Sequence, residues 1–485
     1  MINGLWMKKY LLLTAFIAMT MTLNAKVQLP RILSGNMVLQ RDKPLNIWGF
    51  AAPGETVTVS FAGQNKSTVT DAAGKWAVIL TPLATSSKPG AMVIKGTNEI
   101  ILENILVGEV WLCSGQSNME YAMRKLAKIE KPLKENLGFP ANEVAKAKNT
   151  QIRIFLVNRK TLSKPDSTHQ SWSIAQDSAL RSFSAVGYFF AKELQEKLGI
   201  PVGIISSAVS GSAIEPWIAQ DSFKQEAYFA GEKIGNDPGK FYNPMIEPLT
   251  NFAIRGFLWY QGETNCFLRE NISYAYKIKT LIKSWRAAWK DDELPFYAVQ
   301  IAPFSYSKSK GKLLLDENTL PEFWEAQAQV LRMKNTGLVV TTDLNDHAED
   351  LHPTYKWEVG RRLALWALAK DYGQKISYTG PVYTSMKIKG SKVILNFDHA
   401  GDGLYSNDGQ QLSGFTIAGA DGNFVPAAAV VKGNTVIVSS IKIKTPKAAR
   451  FSWNENGHAN FYNKNGLPAM PFRTDNPLTP QFNVK

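Results

Sequence analysis

The pattern of apolar and polar positions divides the chain into three stretches. From about Val27 to Leu106, short alternating or β-branched runs such as ETVTVSFAG and GKWAVIL are separated by turn signals. From about Val107 to Gly373, apolar runs of strand length alternate with amphipathic segments of helical period. After Ile376 the short β-type runs return, with a hairpin turn expected at Gly433-Asn434. The pattern therefore predicts an α/β region between two β regions.

The middle stretch has the alternation that is typical of a mostly parallel sheet covered by helices on both faces. Its strands are predicted at EVWLCS, PVGIISSAV, IRGFLWY, FYAVQIA and GLVVTTD, and two of its helices at VGYFFAKELQEKLG and KWEVGRRLALWALAKDY. The first stretch reads as a small antiparallel sandwich, and the last is a second β-rich domain or an extension that packs on the first. We expect boundaries that give a leader 1–25, a β-sandwich 26–106, a catalytic domain 107–375 and a β-rich domain 376–485.

The first residues have the features of a secretory signal peptide. Lys8 and Lys9 precede an apolar run from Leu11 to Ala25, and the short residues at its end suit cleavage before Lys26. A retained membrane anchor is the alternative, but the run is short and contains several threonines. We therefore expect an exported protein, periplasmic or secreted, that is not inserted in a membrane after cleavage.

Charge and cysteine content narrow the classes of function. The net charge is +14, but lysines and arginines are scattered and form no basic stripe with interleaved aromatics, so nucleic-acid binding is not expected. A basic surface suits an acidic glycan, or it is a solvated surface without a partner. The two cysteines, Cys113 and Cys266, provide no disulfide framework, and two separate buried thiols are favoured over one bridge.

Polar residues follow the predicted strands where those strands end, which is where open α/β sheets bind ligands. The first strand ends at Ser114-Gly-Gln-Ser117, and Ser117 is either a helix N-cap or a nucleophile. Gly211 follows a later strand, either as an ordinary turn or as an oxyanion donor through its N–H. Asn265 follows the next strand and either closes an Asx turn or donates a side-chain N–H to an oxyanion.

The loop after the last predicted strand contains two of the five histidines, His347 and His352. A serine nucleophile needs a base, and a histidine oriented by a carboxylate is the usual one. His352 has Asp350 two residues before it. A polar surface loop and a metal site are the alternatives. Because the loop has no recognised metal-ligand spacing, we expect no metal.

The polar blocks at these strand ends are similar to those of a known family. SGQSNM, the SGS turn, QGETN and DLHP resemble the four blocks of the SGNH hydrolases, and flanks such as SGSAIEPW and NGLPAMPFRTD resemble the sialate O-acetylesterase family. The resemblance covers nearly the whole chain after residue 25. It implies a flavodoxin-like SGNH core between β-rich flanks, and an esterase that removes O-acetyl groups from sugars, above all sialic acid, without cofactor or metal.

The resemblance also implies a role for each matched position. Ser117 would attack the ester carbonyl and His352 would take its proton, while Asp350 would orient the imidazole. The N–H groups of Ser117 and Gly211 and the side chain of Asn265 would hold the oxyanion. Candidates for contact with substrate are Gln116, Gln261, Glu263 and Trp217. For the tryptophan, stacking on a sugar ring is one interpretation and a place in the core is the favoured one.

Two positions depart from the usual SGNH pattern. Ser210 stands where a second glycine often precedes Gly211, and the usual place of the acid, three residues before the histidine, is occupied by Glu349. We favour Asp350, with Glu349 and a pair assisted by a backbone carbonyl as alternatives. Acetylxylan or another acetylated plant glycan is the rival substrate, and a glycan-binding protein without activity is the rival class. The sequence predicts neither the acetylated hydroxyl position nor the oligomeric state.

Overall fold

The structure, a computed structural model, describes residues 26–484 apart from 127, 130–133, 135–136, 158–170 and 312. The expected leader 1–25 and part of the predicted long loop 130–149 lie outside the described residues. Within the described ranges, no helix combines the length and apolarity of a membrane span.

Seven strands form the first β region and lead into the centre of the molecule. They are β1 Val38–Gln40, β2 Leu45–Phe50, β3 Thr56–Phe61, β4 Gln64–Val69, β5 Lys75–Leu80, β6 Ser86–Lys95 and β7 Glu99–Gly115. β2 pairs with β5, and β3 pairs with β4 and β6, all antiparallel. Alternate residues of β3 and β5 are buried, which is the pattern expected from their alternating sequence.

Six further strands join β7 in the central sheet. They are β8 Ile152–Leu156, β9 Ser173–Ile174, β10 Val202–Ala208, β11 Gly256–Tyr260, β12 Phe296–Val299 and β13 Thr336–Val339. Their order is β13-β12-β11-β7-β10-β8-β9, and each neighbouring pair is parallel except β8 with β9. The sheet is therefore mostly parallel, as the alternation of apolar and amphipathic segments predicts.

β7 is one continuous strand of 17 residues that belongs to both regions. Its first half pairs antiparallel with β6, and its middle pairs parallel with β1. Its second half lies between β10 and β11. The expected boundary at 106–107 thus falls inside a strand, and the first β region is joined to the central sheet through shared backbone pairing.

Helices cover both faces of the central sheet. The α-helices of the described residues are α1 Ser117–Glu120, α2 Met123–Leu126, α3 Glu143–Lys146, α4 Asp177–Ser182, α5 Ala185–Leu198, α6 Tyr242–Met245, α7 Glu263–Phe267, α8 Ile272–Trp289, α9 Thr319–Ala328 and α10 Lys356–Lys370. Residues of α8 and α9 pack in one hydrophobic cluster with Leu112, whereas residues of α5 and α10 pack in another with Trp111. Consecutive β7 residues thus face opposite helical layers.

The strands after residue 376 form sheets of their own. They are β14 Val382–Lys389, β15 Lys392–Asp398, β16 Leu404–Ser406, β17 Phe415–Ala418, β18 Val425–Pro426, β19 Ala428–Lys432, β20 Thr435–Ser439, β21 Ala448–Phe451, β22 Phe461–Asn463 and β23 Phe472–Arg473. They make the sheets β14-β15-β20-β19, β18-β17-β21-β23 and β16-β22, and share a separate hydrophobic cluster. The hairpin expected at Gly433-Asn434 joins β19 to β20, with φ of 60° at the glycine.

Candidate active site

The candidate active site lies at the carboxyl end of the central sheet, where β7, β10 and β11 end side by side. β7 leads to Ser117, β10 to Gly211 and β11 to Asn265, while His352 lies in the loop between β13 and α10. The Oγ of Ser117 and the Nε2 of His352 are 2.8 Å apart, although 235 positions separate them in the chain. The fold therefore brings together the serine and the histidine that the sequence singled out.

The turn between β7 and α1 presents Ser117 to the site. Gly115 has φ of 140°, and a Cβ there would lie 2.1 Å from the carbonyl oxygen of Tyr260, so the turn needs glycine. The N–H of Gln116 donates to the same carbonyl at 3.0 Å. Gln116 occupies the N-cap position and Ser117 is the first residue of α1, so the helix-cap interpretation of Ser117 is wrong.

The half-buried imidazole of His352 is held in its neutral form by its surroundings. Burial lowers its pKa, Lys356 and Lys125 lower it further, and Asp350 opposes them. A lowered pKa means that the ring is unprotonated at neutral pH, which is the state in which Nε2 can accept a proton from Ser117.

The two candidate acids occupy different environments. The side chain of Glu349 is 69% exposed and lies 3.2 Å from Lys308, and that hydrogen bond lowers its pKa. Asp350 accepts a hydrogen bond from the backbone N–H of His352 at 2.8 Å. Among the described residues, neither carboxylate is hydrogen-bonded to imidazole Nδ1. These contacts favour Asp350 over Glu349, and its role as the triad acid stays a prediction.

Two backbone N–H groups near the serine are available to an oxyanion. Neither the N–H of Ser117 nor that of Gly211 donates to another group that the structure describes. Gly211 has φ of 73° in an exposed turn, a conformation that glycine adopts without strain. The preceding N–H, of Ser210, donates to the Glu120 carboxylate at 2.7 Å and fixes this turn beside α1. Unpartnered donors at a nucleophile are the basic feature of an oxyanion hole.

The side chain of Asn265 is buried, and its amide orientation is set by three contacts. Its Oδ1 accepts from the N–H of Ile214 at 3.0 Å and from Nε2 of Gln261 at 2.7 Å. Its Nδ2 donates to the Glu215 carboxylate at 3.2 Å. The Asn265 side chain also interacts with the carboxylate of Glu270, so its two Nδ2 hydrogens face two acidic neighbours.

A buried charge network supports Asn265 from behind. Glu215 accepts from Lys277 at 2.8 Å, and Lys277 also donates to Glu270 at 2.6 Å. Burial tends to lower the pKa of Lys277, but the two carboxylates raise it above its ordinary value. Sequence reasoning gave Glu215 no role, although it lies inside the SGSAIEPW block. Its only sequence signal was an acidic residue in an apolar run.

The four candidates for contact with substrate are all buried and bonded within the protein. They are Gln116, Gln261, Glu263 and Trp217. The Oε1 of Gln116 accepts from the N–H of Gly262 at 3.3 Å, and Nε1 of Trp217 donates to Oγ of Ser212 at 3.0 Å. In this structure these side chains shape the site from beneath rather than line it, and the tryptophan has the core position that was favoured for it.

Sequence reasoning missed Asn118 and Lys356, which lie directly under the serine and the histidine. The Nζ of Lys356 donates to Oδ1 of Asn118 at 2.8 Å, and Nδ2 of Asn118 donates to the carbonyl of Leu351 at 3.0 Å. Burial lowers the pKa of Lys356 to about 7, against the opposing effects of Glu263 and Asp350. The sequence marks these two residues only by their positions: Asn118 directly follows Ser117, and Lys356 lies four residues after His352.

Both cysteines are buried and free, as the sequence favoured. Burial raises the pKa of Cys113 to about 12, so its thiol stays protonated at neutral pH. Across the part of the chain that the structure describes, no cluster of three or more His, Cys, Asp or Glu side chains has an arrangement that could hold a metal ion.

Comparison with known proteins gives consistent matches. The model of a family described as carbohydrate esterase, sialic acid-specific acetylesterase, matches residues 107–369, more than half of the chain. The sialate O-acetylesterase of Homo sapiens is 28% identical over 410 residues, covering 76% of this chain and 75% of its own. That of Mus musculus is 28% identical over 437 residues, covering 75% and 77%.

A solved structure extends the likeness to almost the whole chain. The crystal structure of a carbohydrate acetylesterase from Xanthomonas citri has a TM-score of 0.82 and 37% sequence identity, and the match covers 93% of this chain and 100% of that one. The predicted architecture, a parallel-sheet α/β core between β-rich flanks, is thereby confirmed.

Proposed function

Because the chain belongs to the family of sialic acid-specific carbohydrate esterases, we propose that it removes O-acetyl groups from a sugar with Ser117 as nucleophile and His352 as general base. The observation that carries the proposal is the 2.8 Å contact between Ser117 Oγ and His352 Nε2 at the end of β7. A serine within hydrogen-bond reach of a neutral histidine is the arrangement that activates a hydroxyl for attack on an ester.

In the first half of the reaction, Oγ of Ser117 attacks the acetyl carbonyl carbon while Nε2 of His352 takes the hydroxyl proton. The N–H groups of Ser117 and Gly211, together with Nδ2 of Asn265, donate to the oxyanion that forms. When this intermediate collapses, the bond to the sugar oxygen breaks and His352 gives that oxygen the proton. The products of this half are the free sugar hydroxyl and acetyl-Ser117.

In the second half, His352 takes a proton from a water molecule, which attacks acetyl-Ser117. The same donors hold the second oxyanion, and its collapse releases acetic acid as His352 returns the proton to Ser117 Oγ. The acid then gives its own proton to solvent and leaves as acetate. Asp350 fixes the backbone of His352 and stabilises the imidazolium that forms twice in each cycle. Every proton that is taken is returned, so the cycle balances without a cofactor.

O-acetylated sialic acid is the substrate that we propose. The family description and the curated relatives name it, and a net charge of +14 suits a carboxylated sugar. A neutral acetylated glycan such as acetylxylan is the second candidate, because the solved structure with 37% identity is described only as a carbohydrate acetylesterase. Comparison of kcat/KM on O-acetylated sialic acid and on acetylated xylan oligosaccharides tests this choice. A higher kcat/KM on the xylan fragments would reverse it.

The nucleophile is tested by Ser117→Ala, with Ser114→Ala, at the end of β7, as a matched control. We expect hydrolysis of 4-nitrophenyl acetate to fall about 1,000-fold or more in Ser117→Ala, because no other group replaces the attacking oxygen. Ser114 is buried and its Oγ has no hydrogen-bond partner within the described residues, so Ser114→Ala should stay within about 3-fold of wild type. Full activity in a folded Ser117→Ala protein would contradict the assignment.

Glycan binding without turnover in the wild type would favour the alternative that the protein is a glycan-binding protein without activity.

Export is a further part of the proposal, based on the basic start and apolar run before residue 26. Mass spectrometry of the protein recovered from the cell envelope or the medium should give a mature chain that begins at Lys26. A mature chain that retains residues 1–25 would contradict cleavage there.

A further inference from the structure

A buried lysine joins the neighbours of the nucleophile and of the base. Lys356 is the first residue of α10 and only 1% exposed. Its Nζ donates to Oδ1 of Asn118 at 2.8 Å and to the carbonyl oxygen of Pro353. Asn118 directly follows Ser117, and Pro353 directly follows His352. One ammonium group therefore contacts both segments that carry the reacting side chains.

Asn118 contacts the other side of the histidine. Its Nδ2 donates to the carbonyl oxygen of Leu351 at 3.0 Å and to the carboxylate of Glu263. The carbonyl before His352 is thus bound by Asn118, and the carbonyl after it is bound by Lys356. Both carbonyls belong to a loop, which by itself would leave the imidazole free to shift.

We infer that Asn118 and Lys356 form a clamp that holds His352 within reach of Ser117 Oγ, which makes both of them positioning residues for deacetylation. The inference rests on the roles proposed for Ser117 and His352. The reacting atoms must be placed with an error well below about 1 Å. A loop that carries the base therefore needs to be held on both sides of the histidine.

The cost of burying Lys356 supports a specific role. Taking an ammonium group out of water is unfavourable unless other groups replace its hydration. Here two oxygen acceptors do so, and the ring centroids of Tyr121 and Tyr260 lie 5.0 Å and 5.6 Å from Nζ. An apolar residue at this position would avoid the cost but would leave the oxygens of Asn118 and Pro353 without this donor.

Below a pH of about 7, where Lys356 is protonated, the clamp also places a positive charge against the base. Lys356 faces Glu263 of α7, Asp350 of the histidine loop and Lys125 of α2, and it contributes to the lowered pKa of His352. Removal of this charge should raise the pKa of His352. The acidic limb of kcat/KM against pH should then move to higher pH.

Lys356→Met tests the clamp, because methionine keeps much of the length and removes the donor and the charge. We expect kcat on 4-nitrophenyl acetate to fall about 100-fold with KM within about 3-fold of wild type, and the acidic limb to rise in pH. Lys279→Met is the matched control. Lys279 is also 1% exposed and pairs with Glu226 at 2.9 Å, in α8. The Lys279→Met variant should change kcat less than about 3-fold and leave the acidic limb of the pH profile in place.

Asn118→Asp provides a second test that does not depend on the folding of Lys356→Met. It keeps the acceptor for Lys356 and removes the donor to Leu351 and to Glu263, so kcat should again fall while circular dichroism shows the native fold. A folded Lys356→Met or Asn118→Asp protein with the kcat and acidic limb of wild type would overturn the clamp. Ser117→Ala in the same assay separates the two hypotheses: if it is inactive while the clamp variants are normal, only the clamp is wrong, and if it is active, the proposed function is wrong.

Discussion

The two halves of β7 show how one strand serves two environments. From Glu99 to Asn104 exposed residues alternate with buried or partly buried ones, and Ile101 is 52% exposed beside the antiparallel strand β6. From Ile105 to Gly115 every residue is buried, and from Trp111 onward the strand lies between the parallel strands β10 and β11, under helices on both faces. The difference shows that the end of the strand that leads to Ser117 is the end with no solvent-facing side, so the candidate site is built on closely packed backbone.

One charged residue inside the buried half marks the junction between the two environments. Glu109 is fully buried, and its carboxylate accepts from Arg255, from Arg41 of the first β region and from Gln40 of β1. Burial tends to raise its pKa, but the two guanidinium groups and the amide lower it below its ordinary value. The junction is therefore held by charge as well as by strand pairing.

The largest effect is expected from two glycine substitutions, one at the buried end of β7 and one in an open turn of the first β region. Gly115→Ala places a Cβ 2.1 Å from the Tyr260 carbonyl at φ of 140°, so we expect a loss of about 3–6 kcal/mol in the free energy of unfolding. Gly63→Ala, in the β3–β4 turn, meets no atom within 4 Å and should lose only about 1 kcal/mol at its φ of 76°. Urea denaturation measures both. Equal losses would show that the catalytic end is no more constrained than the flank.

Apolar truncation should separate the two halves of β7 by a smaller margin. Leu112→Ala leaves a cavity in the core and should lower the free energy of unfolding by about 2–5 kcal/mol. Ile101→Ala removes a half-exposed side chain and should cost about 0.5–1 kcal/mol. Chemical denaturation with matched m-values tests the difference. A loss at Ile101 as large as that at Leu112 would contradict the assigned environments.

Next in size is the effect of the carboxylate that faces the end of β7. Asp350→Asn should lower kcat on an acetate ester about 100-fold, because the backbone bond to His352 weakens and the imidazolium loses its counter-charge. Glu349→Gln should remain within about 3-fold, since that side chain is exposed and paired with Lys308. The opposite ranking of the two variants in steady-state kinetics would move the acid to Glu349.

The smallest expected effect is in the pH profile of the wild-type enzyme. Protonated His352 cannot accept the serine proton. Activity is therefore lost as the pH falls through the pKa of His352, and the enzyme is fully active above that pKa. Since burial and the neighbouring lysines lower that pKa below its ordinary value, kcat/KM should still be high at pH values where an unperturbed histidine would be largely protonated. A titration of kcat/KM between pH 4 and pH 8 measures the limb. A midpoint above about 6.5 would contradict the lowered pKa.

The sequence predicts the fold well wherever a periodic pattern has one dominant cause. The apolar runs of the middle stretch, such as GFLWY, became parallel strands because burial on both faces demands continuous apolar residues. The helix that was expected to end at Gly199 does so, with that residue in the left-handed conformation that glycine favours. Ser117 and His352 were identified because strand ends of one sheet converge whatever the length of chain between them.

Other features could not be predicted, because they depend on contacts between distant segments. Lysine side chains are normally exposed, and the sequence around Lys356 does not indicate that this one is buried. It also does not indicate that Asn118 and two aromatic rings take the place of the water around its ammonium group. Gln116 and Gln261 were predicted to contact substrate because they are polar residues close in sequence to Ser117 and Asn265. The structure shows that polar side chains at such a place also hold the loops together.

The continuity of β7 has a consequence for how much of the chain folds as one cooperative unit. The family match begins at residue 107, but a fragment that starts there would lose Arg41, Gln40 and β1, which pairs with β7 at Leu106 to Gly108. It would leave Glu109 with the guanidinium of Arg255 alone and would remove the backbone pairing of Val107 and Gly108 with β1, directly before the part of β7 that leads to Ser117. The first β region is therefore an integral part of the scaffold that carries the candidate site, and we expect it to unfold together with the central sheet.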